Sequence, residues 1–264
     1  MTIPISVIDA FTAEPFAGNP AAVCLLPAPA DPKWMQDVAR EMNLSETAFL
    51  LRERDAFQLR WYTPAREVDL CGHATLASAH LLWLDGHLAP TEEARFDTLS
   101  GRLTCRRGED GWIAMDFPAE PAEETKPPAR LFAALGLPGA RWAGRNRLDW
   151  LVEVGDGEVV VALAPDFRAL ARLDARGVIV TAPAASRSFD FVSRYFAPAF
   201  GIDEDPVTGS AHCCLGPYWG AKLGKTELTG RQLSARGGVV KVGLRGERVT
   251  LGGQAVRVLR GELR

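Results

Sequence analysis

Four segments of this 264-residue chain carry polar or nucleophilic side chains where a purely structural strand or turn does not need them. They are PFAGNPAAV at residues 15 to 23, MNLSETAF at 42 to 49, DLCGHATLASAH at 69 to 80 and FGIDEDPVTGSAHC at 200 to 213. Glu46 opens an apolar strand pattern just after a surface helix. A carboxyl group in that place can take and return a proton near neutral pH if burial raises its pKa. The residues alone equally allow a solvated charge at a strand end. His73 follows Gly72 at the start of an apolar helix. A neutral imidazole there can donate or accept a hydrogen bond, or simply act as a cap. Asp205 ends the run Asp203-Glu204-Asp205, but Pro206 and Val207 break the ligand alternation of a calcium loop. Without further information it reads as an exposed acidic turn.

Gly72, Gly209 and Ser210 offer something different. They supply backbone N–H groups at two helix starts, unobstructed by bulky side chains and aided by the helix dipole, which together make a carboxylate site. Asn19 in the GNP triplet suits a turn as well as a ligand contact. His80 and His87 have no carboxylate or thiolate close by in the sequence, so no metal site is expected.

The elements that must position these residues are mostly strands. Dense Gly and Pro punctuation separates short alternating runs such as ISVIDAF, AAVCLL, TAFLL and FQLRWY. GRLTCRRGEDGWIAMDF reads as a hairpin turning at Glu109-Asp110-Gly111. Two helices, 74 to 84 and 211 to 223, are apolar on nearly every side and are therefore buried. A surface helix over 32 to 42 contrasts with them, with Asp31 as N-cap and Pro32 at its first position. Residues 119 to 130, which include Pro121, Pro127 and Pro128, form the best linker. DWLVEV and EVVVAL read as strands after it, followed by a short helix around 165 to 173, further strands and hairpins. Strands, a loop, one buried helix and then hairpins occur once in each half, which suggests a duplication. The expected lobes are 1 to 118 and 119 to 264, with 252 to 264 able to return to the first.

Composition excludes several other classes. With 47% apolar and 24% charged residues the chain can bury a real core, so disorder is excluded. A net charge of −3 gives no field to hold nucleic acid or an anionic membrane, so a small-molecule partner is expected. Lys33, Lys126, Lys222, Lys225 and Lys241 sit in no Schiff-base motif. Five irregularly spaced cysteines, with no signal-peptide pattern at the start, indicate a reducing cytoplasm. There is no G-x-G-x-x-G junction and no phosphate loop.

Taken together and in this order, GNP, SETAF, CGHAT and DPVTGSAH resemble the PhzF family of phenazine-biosynthesis-like proteins. The resemblance implies an α+β fold of diaminopimelate epimerase type: two pseudo-symmetric lobes, each a curved, mainly antiparallel sheet around a central helix. It also implies a cofactor-independent site between the lobes and a homodimer. By this resemblance Glu46 is the acid/base that removes a proton from carbon and returns it elsewhere. His73 and Asp205 pair to tune and orient, and Gly72, Gly209 and Ser210 bind the substrate carboxylate. The family's named reaction isomerises trans-2,3-dihydro-3-hydroxyanthranilate. Diaminopimelate epimerases use a cysteine at the place of Cys71 with a second thiol in the opposite lobe, where this chain has DPVTGS. Cys213 and Cys214 fall later, inside the apolar helix. The alternatives are therefore an amino-acid racemase using Cys71 and a non-catalytic ligand-binding protein.

Overall fold

A computed structural model describes residues 2 to 264. In chain order the elements are β1 (Ile3–Ala10), β2 (Asn19–Leu26), α1 (Pro32–Met42), β3 (Glu46–Glu53), β4 (Ala56–Tyr62), β5 (Glu67–Val68), α2 (Gly72–Leu84), β6 (Ala94–Thr98), β7 (Gly101–Arg107) and β8 (Ile113–Pro118). There follow β9 (Glu123–Glu124), α3 (Ala129–Leu135), β10 (Trp142–Arg145), β11 (Asp149–Glu153), α4 (Gly157–Ala162), α5 (Phe167–Leu170), β12 (Gly177–Pro183) and β13 (Phe191–Phe196). The chain ends with α6 (Gly209–Leu223), β14 (Glu227–Gln232), β15 (Gly238–Arg245), β16 (Arg248–Gly253) and β17 (Ala255–Leu263). Contacts divide it into a first unit that ends at Asp116 and is completed by Gly252–Arg264, and a second unit, Phe117–Leu251.

In the first unit β1 pairs antiparallel with both β17 and β2. The pairs β2–β3 and β4–β6 are parallel, while β3–β4, β6–β7 and β7–β8 are antiparallel. Each parallel pair needs a crossover, supplied first by α1 and then by α2. Helix α1 begins as its sequence dictates, with the Asp31 carboxylate accepting from Lys33 N–H and proline inside the first turn. Its Met35, Val38 and Ala39 pack on Ala22, Cys24, Phe49 and Tyr62. Tyr62, on the same strand face as Gln58 and Arg60, is buried because α1 covers it there; its ring meets Phe49 edge-on at 5.6 Å. Helix α2 packs on β1, β2 and β3 and is buried over most of its length, as an all-round apolar helix must be.

The second unit repeats the scheme. The pair β10–β11 is antiparallel, β11–β12 parallel, β12–β13 antiparallel, β13–β14 parallel and β14–β15 antiparallel. The crossovers here are α4 with α5, and then α6. Each lobe is thus mainly antiparallel with two helix-bridged parallel pairs. The EVVVAL run is a correction to the sequence reading: it forms helix α4, not a strand. Asp156 caps it by accepting from Val159 N–H at 3.0 Å, and the parallel register of β11 and β12 requires a crossover there. The crossover's need to pack Val160 into the core overrides the strand preference of three adjacent valines.

Helix α6 lies against β14 and β15 through small residues. A Cβ at Gly220 would stand 2.4 Å from Leu244 Cδ1 and 2.9 Å from the carbonyl oxygen of Lys225. Alanine gains up to about 1 kcal/mol of helix propensity over glycine. Overpacking against an immobile carbonyl costs about 1–3 kcal/mol. Gly220→Ala is therefore expected to lower the urea midpoint, and a raised midpoint would disprove the close approach. Among the described residues no helix is long and apolar enough to cross a membrane.

Candidate active site

Glu46 is the first residue of β3, placed there by the abrupt end of α1, where Asn43 takes a left-handed conformation (φ 49, ψ 35). Parallel register sets it opposite Ala21 of β2, close to Asn19 at the start of that strand. His73 is the second residue of α2. Its side chain is 5% exposed and that of Glu46 13%. His73 Nε2 lies 3.3 Å from Glu46 Oε2, within ion-pair reach but without the alignment of a hydrogen bond. On the opposite edge of the ring, Nδ1 stands 3.2 Å from Asn19 Nδ2 and 3.5 Å from Cys71 Sγ.

These contacts define the state of the imidazole. The amide nitrogen of Asn19 can only donate, so Nδ1 accepts and the single proton of the neutral ring sits on Nε2, the nitrogen nearer Glu46. Burial pushes the His73 pKa from 6.5 to about 3, so the ring is neutral at physiological pH. A neutral donor beside a carboxylate can follow the gain and loss of a proton without becoming charged. Asn19, which the sequence left open between turn and contact, is fully buried and is a partner of this histidine. Glu46, Cys71 and His73 also each present a ligand atom within 4.8 Å of the other two. That carboxylate, thiol and imidazole set has the donor types of a zinc-like cation site. Sequence spacing concealed the grouping because Glu46 arrives from another element.

In the second unit Asp205 precedes α6 and is 8% exposed. It accepts from the Thr208 hydroxyl at 2.5 Å, its backbone carbonyl accepts from Gln232 Nε2 at 2.7 Å, and its N–H donates to the Tyr195 carbonyl at 3.1 Å. Gln232 Oε1 accepts from Thr208 N–H at 2.9 Å, so one fully buried amide latches both ends of the turn. Sequence reasoning missed Gln232; its phase with Leu228 and Gly230 on the buried side of an alternating strand was its only signal. The acidic run is thus not an exposed turn at its third position. Neither α2 nor α6 is capped by its own N-cap side chain, Cys71 and Thr208 respectively. Gly72, Gly209 and Ser210 therefore begin helices whose first N–H groups suit an anion. The structure groups Glu46, Cys71, Gly72 and His73 in the first unit, and Asp205, Gly209 and Ser210 in the second.

Cys213 and Cys214 are buried in α6, and burial pushes each thiol up to about 12. They behave as small hydrophobes, as expected for unpaired cysteines inside an apolar helix. His212, also fully buried, donates from Nδ1 to the Thr208 carbonyl at 2.8 Å, and burial lowers its pKa to about 4. An unfolded chain protonates both His73 and His212 near 6.5, whereas the folded chain resists. Their contribution to stability is full above about pH 6.5 and is lost as pH falls toward their folded values. As pH falls from 6.5 to 5 the cost of each histidine should rise toward about 1.4 kcal/mol per pH unit. The urea midpoint is expected to fall across that window; a flat profile would place solvent or a counter-charge at these rings.

The repeated crossover scheme around two buried helices defines the diaminopimelate epimerase-like fold. A hydroxyproline epimerase from Agrobacterium vitis shares this fold with a TM-score of 0.64 at 10% identity, covering 99% of this chain and 92% of that one. The chain belongs to the PhzC/PhzF family of phenazine biosynthesis-like proteins, whose model matches residues 8–261. A relative from Halalkalibacterium halodurans, named an uncharacterized isomerase, is 54% identical over 265 residues, covering 100% of this chain and 99% of that protein. The crystal structure of a PhzF-family phenazine biosynthesis protein from Enterococcus faecalis matches with a TM-score of 0.95 at 43% identity, over 100% of both chains.

Proposed function

We propose that this PhzF-family isomerase moves a proton between carbons of a small carboxylated substrate, with Glu46 as the acid/base. The observation that carries the reading is the Glu46 carboxylate held 3.3 Å from a buried, neutral His73. In the forward step a C–H bond breaks and its proton passes to a Glu46 oxygen, leaving the electron pair delocalised in the substrate. Glu46 then returns the proton to a different carbon as the double bond shifts. Atoms and electrons balance within one substrate, so the net change is isomerisation. The Nε2–H of His73 faces the changing carboxyl, and Asn19 fixes the tautomer of His73. Gly209 and Ser210, at the start of α6, hold the carboxylate, and Gly72 at the start of α2 offers N–H groups of the same kind. A dihydrohydroxyanthranilate-like acid, a homodimer and a cytoplasmic location complete the reading, the last supported by five free, buried cysteines.

One contact speaks for an amino-acid racemase instead: Cys71 Sγ lies 3.5 Å from His73 Nδ1. A two-thiol mechanism also needs a second thiolate, and Cys213 and Cys214 are buried as protonated thiols. The deciding experiment is NMR-detected deuterium uptake from D2O into a panel of small acids, including dihydrohydroxyanthranilate and common amino acids. Uptake with double-bond migration supports the proposal. Uptake only at the α-carbon of amino acids would favour the racemase, and no uptake into any acid would favour a binding protein.

A further inference from the structure

The second unit contains a buried charge cluster that the proton-transfer reading does not use. Asp149, fully buried at the start of β11, accepts from Arg176 Nε at 3.0 Å and from Arg176 Nη2. Tyr195 donates its hydroxyl proton to the same carboxylate at 3.0 Å. Register holds the three together: Asp149 lies opposite Gly177, the residue after Arg176, in the parallel β11–β12 pair. Gly177 leaves the room this needs, because a Cβ there would stand 2.4 Å from the Tyr195 hydroxyl oxygen. Burial is the largest single influence and works to discharge Arg176, but the hydrogen bonds and charges of Asp149 and Tyr195 together outweigh it and keep the guanidinium charged.

The same guanidinium reaches beyond this pair. Arg176 Nη2 lies 3.0 Å from Ser210 Oγ, on the second residue of α6. A hydroxyl has one proton to give and two lone pairs, whereas a guanidinium can only donate. Ser210 must therefore accept from Arg176, and its own O–H is turned away from the guanidinium. A hydroxyl held in this way is a donor in search of an acceptor, beside the N–H groups of the helix start.

We infer that Arg176 is a positioning residue: locked by Asp149 and Tyr195, it orients the Ser210 hydroxyl as a donor to the substrate carboxylate. The inference rests on the carboxylate role proposed for Ser210. It also explains why a fully buried carboxylate and a partly buried guanidinium are paired at this helix start, since such pairs seldom raise stability over a well-packed apolar replacement. With one lone pair of Ser210 taken by Arg176, the hydroxyl proton is left for an acceptor on the ligand.

The test is a titration of the isotope-labelled full chain with anthranilate, a stable aromatic carboxylate, following the amide resonances of Gly209 and Ser210. Ser210→Ala should weaken binding about tenfold, the size expected for one hydrogen bond to a charged group. Arg176→Met alone leaves Asp149 buried and unpaired and can fail to fold. Asp149→Asn/Arg176→Met removes both charges and retains an oxygen for Tyr195; it should also weaken binding about tenfold. Adding Ser210→Ala to that pair should change nothing further, because both act through one hydrogen bond. A purely structural role would instead give additive losses, and additivity or wild-type affinity in the pair would overturn the inference. Anthranilate that leaves the Gly209 and Ser210 resonances of the wild type unmoved would overturn it together with the carboxylate site. The Glu46 reading fails separately: Glu46→Gln that keeps full deuterium exchange would refute the acid/base and leave the role of Arg176 standing.

Discussion

In Glu46→Gln, deuterium uptake into the substrate is expected to fall about 10²–10⁴-fold, the usual contribution of a positioned general acid/base. Glutamine has nearly the same shape and retains an oxygen that can face His73 Nε2, but it cannot carry the transferred proton. Both kcat and kcat/KM should therefore fall by similar factors, the pattern of an interaction made in the transition state. His73 should remain neutral in the variant, because its low pKa arises from burial and not from Glu46. Cys71→Ala, measured alongside, should keep most of the activity. Loss of exchange in Cys71→Ala, with Glu46→Gln near wild type, would reverse the assignment and restore the thiol mechanism.

Trp219→Ala should have the largest effect on stability, about 3–5 kcal/mol. The indole is 1% exposed within α6, stacks on Phe191 with ring centroids 6.0 Å apart and planes 2° apart, and donates Nε1–H to Thr181 Oγ1 at 3.0 Å. Truncation removes the packing and a directional bond together, and the surrounding strands can close over the space only in part. The melting temperature should drop by roughly 10 °C, taking about 2–4 °C per kcal/mol for a chain of this size. Trp219→Phe, which keeps a ring but loses the N–H, should cost less than half as much. Because Gly209 and Ser210 begin the same helix, a weakened substrate KM is expected in Trp219→Ala before kcat changes. A drop below about 1 kcal/mol would mean that α6 is held chiefly at its ends.

Much of the architecture was legible because it is written locally. Asp31 and Pro32 announced α1, and the helix runs over the expected residues. Helices α2 and α6 were recognised by their unbroken apolar character, although each begins two residues earlier, at Gly72 and Gly209. Glycine lowers helix propensity and masks a start that tertiary packing enforces. The hairpin between β7 and β8 was legible in its Asp-Gly turn, where Gly111 adopts φ 79. Helix α4 was read wrongly because β-branched residues favour strands when judged alone, whereas its capping aspartate and the β11–β12 crossover decide otherwise.

The sequence by itself determined the family motifs, the buried helices and the presence of Glu46, His73 and Asp205 near element starts. Capping, periodicity and turn chemistry act over a few residues, and a linear reading can see them. Only the tertiary structure decided that Asn19 accompanies His73, that Gln232 latches the Asp205 turn, and that Arg176 reaches Ser210. Each of these contacts joins residues far apart in the chain. Strand register and the packing of one helix on each sheet bring them within hydrogen-bond distance, and neither is encoded in any short window.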